Sequence, residues 1–132
     1  MPMTYADVAE GVKAALAAYT QALDDGRTDD VVATFCVDGV VEIPGMGTHR
    51  GHDALRLAYT KWTPRQPQRH LILNTLIAEG GQGEVTAISD VVFLLGDGSS
   101  WDVKLVGRYH DTLRFEDEAW RFSHRAAEFV TE

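Results

Sequence analysis

Residues 84–115 read EVTAISDVVFLLGDGSSWDVKLVGRYHDTLRF, and this stretch decides the fold. Polar and apolar residues alternate with a period of two on either side of Gly96-Asp97-Gly98-Ser99, as in two strands joined by a tight turn. The same period continues outward on both sides. Four strand-like runs result: Arg69–Ala78, Glu84–Leu95, Trp101–Phe115 and Ala119–Phe129. Their separators, Gly80-Gly81-Gln82-Gly83, the turn just named and Glu116-Asp117-Glu118, are short hairpin turns, so the runs predict an antiparallel meander. Strands of this length twist, and the sheet is expected to curve. Gly107, mid-strand, is a natural place for a bulge or bend.

The first half has a helical period instead. Val8, Val12, Ala15, Leu16, Tyr19, Ala22 and Leu23 form one apolar stripe, predicting a helix over residues 4–25. Thr4 and Asp7 cap its start and Gly26 ends it. Thr28, Asp29 and Asp30 open a shorter helix through about Phe35, which puts Cys36 in an apolar helical stretch. Val40–Ile43 is extended, and Pro44-Gly45-Met46-Gly47 turns it back through Thr48 and His49. Residues 51–62 form a third helix, closed by Pro64. Helices followed by a meander predict an α+β chain whose long first helix lies across the curved sheet. A length of 132 residues suits one domain, 1–132, with a closed core.

The charge, 12 basic against 20 acidic residues or −8, repels phosphate backbones, and no local basic face offsets it. Lys61, Arg65 and Arg69 are interrupted by Pro64 and Pro67. Nucleic acid is therefore not an expected partner. No apolar run approaches the roughly 18 residues of a membrane span, and the start lacks a signal pattern; neither membrane attachment nor export is expected, and the cytoplasm is the default. One cysteine, Cys36, excludes an internal disulfide and a cysteine-rich zinc site, and is read as a buried thiol rather than a nucleophile. His49 and His52 bracket a glycine turn with no third ligand in view, and no glycine loop opens a helix to cradle phosphate. No metal and no cofactor are expected.

Two features carry chemistry. Asp24 ends the first helix, where the dipole disfavours an anion by about 0.3–1 kcal/mol, and Asp25 repeats the offence. A local rule broken without visible compensation marks a candidate site. In the run from Arg69 to Ile77, His70, Ile72, Asn74 and Leu76 share one face. Both faces of this run are mostly apolar and are expected to be covered, so His70 and Asn74 each need a polar partner. Tyr19 reaches the same cavity if the helix lies in the mouth of the sheet. Trp62, Tyr59 and Met46 read as pocket wall. Alternation in the third run groups Trp101, Val103, Leu105, Tyr109 and Leu113 on one face, with Lys104, Arg108, His110 and Arg114 on a solvated one. Asp90 is a polar candidate of the second run. Asp111 either faces the pocket or pairs with an arginine. Arg125 either meets an acidic ligand group or, as favoured, is a structural ion-pair partner.

Tyr19-x4-Asp24-x-Gly26, Gly45-Met46-Gly47-Thr48-x2-Gly51, His70-x3-Asn74, Gly107-x-Tyr109-x-Asp111 and Trp120-Arg121-Phe122 together resemble the SnoaL-like branch of the NTF2-like superfamily. Within it the pattern is most similar to scytalone dehydratase, bile-acid 7α-dehydratase and hexachlorocyclohexane dehydrochlorinase, over roughly residues 5 to 128. The resemblance implies a cone-shaped α+β fold, a curved, mostly antiparallel sheet wrapped around the long first helix with two shorter ones. It also implies a His–Asp dyad, carried onto His70 and Asp24, with Tyr19 at the position of the bile-acid enzyme's tyrosine. Two departures speak against scytalone as the substrate. Leu23 stands where the scytalone enzyme has its tyrosine, and the strand Glu84–Leu95 has no histidine.

A neutral imidazole can remove a proton from carbon beside an electron-withdrawing group while a carboxylate orients it. The expectation is a cofactor-independent lyase or isomerase acting on a small apolar ring compound. His70 is the base, Asp24 its partner and Tyr19 a hydrogen-bond donor; Asn74, Trp62, Tyr59, Met46, Asp90, Tyr109 and Arg125 contact the substrate. The rivals are an accessory subunit like the β subunit of ring-hydroxylating dioxygenases, marked by an apolar patch on the outer sheet face, and a binding protein whose histidine and aspartate do not touch. A homodimer is expected from the superfamily.

Overall fold

An apolar stripe needs a surface to cover, and the chain supplies one six-stranded sheet for three helices. The computed structural model describes residues 3–130. Helix α1 (Tyr5–Asp24) starts at a capping box in which Thr4 and Asp7 each satisfy the other's backbone N–H. It buries Val12, Ala15, Leu16, Tyr19, Ala22 and Leu23 against the sheet. Helix α2 (Thr28–Ala33) and strand β1 (Phe35–Ile43) follow, then strand β2 (Gly47–Arg50) and helix α3 (His52–Lys61). The second helix stops two residues short of the expectation. Cys36 lies in β1, fully buried, with its thiol aimed at the Arg121 carbonyl.

The meander is β3 (Gln68–Glu79), β4 (Val85–Gly96), β5 (Trp101–Glu116) and β6 (Ala119–Phe129). The sheet order is β2-β1-β6-β5-β4-β3. All neighbours are antiparallel except β1 and β6, which pair in parallel and bring the last strand into the middle of the sheet. The fold class is α+β with a curved, mostly antiparallel sheet, as the alternation predicts. No helix among the described residues is long and apolar enough to cross a membrane.

Irregularities in the ladder redirect several side chains. Between Leu73 and Leu76 the β3–β4 register shifts, and Asn74 takes a left-handed φ of 57°, a conformation asparagine tolerates better than most residues. The shift reverses the alternation beyond it. Leu71, Leu73 and Leu76 are exposed, while Ile72 and Ile77 pack on the core. The expectation that both faces of β3 are covered therefore fails on the outer face. A second shift, between Phe93 and Leu94, skips Lys104 and turns Trp101 and Val103 outward, whereas Leu105 and Tyr109 stay inside. Gly107 is not itself a bulge. The Glu128 carbonyl oxygen lies 2.7 Å from where a β-carbon would sit, so close strand approach requires glycine there.

Phe122 is fully buried at the centre of an aromatic cluster, 5.5 Å from the Phe35 ring and 5.8 Å from that of Tyr19. Phe122→Ala is expected to destabilise the chain by about 3–5 kcal/mol in denaturant unfolding. A loss under about 1 kcal/mol would show that the cluster is not part of the core.

Candidate functional site

The C-terminus of α1 meets the start of β3, and a single carboxylate joins them. Asp24 Oδ2 accepts the His70 backbone N–H at 2.8 Å. Its Oδ1 lies 2.6 Å from His70 Nδ1 and accepts the Gln68 side-chain amide at 3.1 Å. The Asp24 side chain is 5% exposed and that of His70 13%. An ionised carboxylate only accepts, so Nδ1 carries a proton, and in the neutral imidazole Nε2 is then the bare nitrogen. Phe93 stacks on the ring, centroids 4.4 Å apart and planes at 25°, which fixes its orientation. The unfavourable anion at the helix end thus has three donors. Asp25 remains in solvent beside Arg27.

His70 lines a cavity of about 330 Å³. Its wall is apolar: Leu23, Ile43, Val91, Phe93, Leu105, Ala127 and Phe129, with Met46 and Trp62 toward α3 and the β1–β2 turn. Tyr19, Tyr59 and Tyr109 supply hydroxyls, Gln68 an amide, and Lys61 an exposed cation on the same lining. The Tyr19 and Tyr59 oxygens are 2.5 Å apart. Two phenols share two hydrogens, and their mutual bond uses one, so the pair keeps one O–H for a third acceptor. The Tyr109 hydroxyl has no hydrogen-bond partner among the described residues. Burial pushes all three phenols above their ordinary range, Tyr59 furthest among the first pair because Tyr19 adds to the effect.

Beneath the tyrosines lies a fully buried ion pair. Arg125 donates through Nε and Nη2 to the Asp111 carboxylate at 2.8 and 3.0 Å. Its guanidinium carbon is 3.7 Å from the Tyr109 ring centre and 4.3 Å from that of Tyr19. Burial opposes the Arg125 charge, but the Asp111 carboxylate outweighs it and holds the group above its usual range. Arg125 Nη1 is buried without a partner among the described residues.

Of the residues singled out from sequence, Tyr19, Tyr59, Trp62, Met46, His70 and Tyr109 line the cavity, and Asp24 sits directly behind His70. Three do not. Asn74, turned by the bulge, donates to Asp90 at 2.9 Å on the outer face, where Asp90 also accepts from Arg108. Neither lines the cavity, and both are corrected as substrate contacts. Arg125 is walled off by its aromatic neighbours and serves Asp111. Sequence reasoning missed Gln68 and Phe93. Gln68 could have been found by its phase, two residues before His70 on the same strand face. His49 and His52 each bond a separate carbonyl, Met46 and Phe35, and among the described residues no group of three His, Cys, Asp or Glu is placed to hold a metal.

A helix-backed curved sheet with an acid–histidine contact at the mouth of an apolar cavity defines a class. The SnoaL-like domain model matches residues 5–126, and the chain belongs to that family. Solved structures agree on the fold. An NTF2-like protein with a cystatin-like fold from Novosphingobium aromaticivorans superposes with a TM-score of 0.81 at 16% identity, covering 96% of this chain and 90% of its own. A protein from Catenulispora acidiphila in complex with S-DNPA gives 0.84 at 23%, covering 94% of each chain. ActVI-ORFA from Streptomyces coelicolor gives 0.83 at 20%, covering 92% of this chain and 96% of its own. No curated protein matches the chain.

Three buried phenols with raised pKa values make the fold sensitive to alkali. The unfolded chain ionises them near pH 10, whereas burial keeps them protonated to higher pH in the folded chain. Their contribution is complete below that pH and is lost as pH rises. Stability is expected to fall between pH 10 and 12 in urea titrations, and Tyr59→Phe should lessen that slope by about 1.4 kcal/mol per pH unit. An unchanged slope would mean that the phenol ionises freely in the folded state.

Proposed function

We propose that the chain is a cofactor-independent lyase or isomerase that takes a proton from carbon in a small apolar ring compound. The observation that carries this reading is the 2.6 Å contact between Asp24 Oδ1 and His70 Nδ1 at the wall of an apolar cavity. His70 Nε2 accepts the proton from a carbon beside a carbonyl. The C–H electron pair moves into the adjacent bond, and negative charge grows on the carbonyl oxygen. The spare O–H of the Tyr19–Tyr59 pair donates to that oxygen. Asp24 stabilises the imidazolium through Nδ1–H without taking its proton. If a hydroxyl stands on the next carbon, the pair expels it and the imidazolium protonates it, giving water. Without a leaving group, the proton returns to another carbon in an isomerisation, or the enolate carbon attacks a second carbonyl of the same molecule and the imidazolium protonates the alkoxide formed, closing a ring. Of the rivals, a binding protein without turnover has no need of the contact between histidine and aspartate.

The reading includes a cytoplasmic homodimer formed through the outer sheet face. What favours association there is an apolar row, Leu71, Val92 and Val106, paired across three strands beside exposed Leu73, Leu76 and Ile88. The same patch suits an accessory subunit bound to a larger partner.

Proton abstraction can be followed without the natural substrate. The chain is expected to accelerate deuterium exchange at the acidic carbon of a ring ketone such as 2-tetralone, read by NMR in heavy water. His70→Ala should lose about 10²–10⁴-fold of that acceleration, and Asp24→Asn a comparable part. Exchange at the unaltered rate in His70→Ala contradicts the base assignment. Sedimentation should give twice the chain mass at micromolar concentration, and Val106→Lys should reduce it to one; a monomeric unaltered chain counts against the dimer.

A further inference from the structure

We infer that Gln68 is a specificity-determining residue, whose side-chain carbonyl selects ligands bearing a hydrogen-bond donor beside the carbon that meets His70. The inference rests on the proposed reading of the dyad. Gln68 opens β3, is 7% exposed and lines the cavity. Its side chain stands two residues from His70 on the same strand face. One of the two amide N–H groups is committed, because the carboxylate it faces at 3.1 Å accepts and cannot donate. Asp24 already receives the His70 backbone N–H and Nδ1–H, which fixes the amide's direction. Rotating the amide would set its oxygen against that carboxylate, two acceptors with no proton between them. Gln68 Oε1 is therefore turned away from Asp24. It has no partner among the described residues, and it is not among the side-chain atoms sealed from solvent without one.

Thr63, whose hydroxyl donates to the Thr60 carbonyl, adds an acceptor elsewhere on the lining, but the tyrosine side is of the opposite kind. The Tyr19–Tyr59 pair and Tyr109 have O–H groups to give, and Lys61 is a cation. Gln68 Oε1 is thus a fixed neutral acceptor on the His70 side of the cavity, facing a tyrosine side rich in donors. A ligand that satisfies both sides carries a carbonyl-type oxygen toward the tyrosines and a hydroxyl or N–H toward Gln68. The substrate class narrows from an apolar ring compound to a hydroxylated ring carbonyl compound. The hydroxyl is held beside the base, on the atom where an elimination would release it.

Two probes of nearly equal shape isolate the effect. 2-Naphthol and 2-methoxynaphthalene share a ring and an accepting oxygen, but only the naphthol can donate. Their affinities are measured by fluorescence titration of the full chain. In Gln68→Met, which keeps the volume and removes the acceptor, the naphthol-to-ether affinity ratio is expected to fall about five- to tenfold, the worth of one neutral hydrogen bond. The ether should bind both proteins alike, which shows that the cavity is intact. An unchanged ratio overturns the inference. A crystal structure of the unaltered chain with 2-naphthol reads the same point without a variant. The naphthol oxygen is expected within about 3.2 Å of Gln68 Oε1, and a hydroxyl bonded elsewhere refutes the assignment. If His70→Ala abolishes exchange while the ratio stays fixed, the role of Gln68 falls and the base assignment stands. If exchange does not depend on His70, the dyad reading fails first.

Discussion

One carboxylate at the end of α1 holds the helix to the sheet and orients the imidazole that lines the cavity. Asp24 is an anion at a helix C-terminus, which costs about 0.3–1 kcal/mol. Against this stand three hydrogen bonds to a charged group, each contributing about 1.5–3 kcal/mol. The donors win, and they all come from the first three residues of β3. Helix end, strand start and imidazole orientation are therefore one structural feature. Moving α1 relative to β3 would break the same bonds that aim His70.

The far side of the cavity is built on a second buried charge system. A fully desolvated Arg125–Asp111 pair is costly unless its geometry is good, and the two parallel N–H···O bonds with flanking aromatic faces supply that geometry. The pair fixes the rings of Tyr19 and Tyr109 from beneath, so the hydroxyls project into the cavity from a rigid base. The two ends then differ in character. The Asp24 end supplies acceptors, His70 Nε2 and Gln68 Oε1, and the tyrosine end supplies donors. That polarity, more than the apolar wall, distinguishes this cavity from a simple hydrophobic pocket.

Much of the architecture was legible because long alternating runs and an apolar helical stripe report burial directly. The four strand-like runs and the capped first helix lie within a few residues of β3 to β6 and α1. The parallel pairing of β1 with β6 was not legible, since partners more than eighty residues apart leave no local mark. Asp90 faces outward by the unbroken alternation of β4 itself, whereas Asn74, Trp101 and Val103 were misassigned for a common reason. Each lies at or beyond a ladder shift, and strict alternation fails after one inserted residue. Asp24 and His70 came into view by different routes. The aspartate broke a helix rule, the histidine lay on an apolar strand, and the resemblance joined them. Gln68 escaped notice because an amide at a strand start breaks no rule.

The claim on which this account rests is that His70 presents a bare Nε2 to the cavity because Asp24 holds the proton on Nδ1. Nitrogen-detected proton correlation NMR on ¹⁵N-histidine-labelled chain reads the tautomer of neutral His70 directly. The account predicts the Nδ1–H form, with Nε2 unprotonated, and its loss in Asp24→Asn. An Nε2–H tautomer in the unaltered chain would contradict it, since the nitrogen facing the cavity could then no longer accept a proton from carbon.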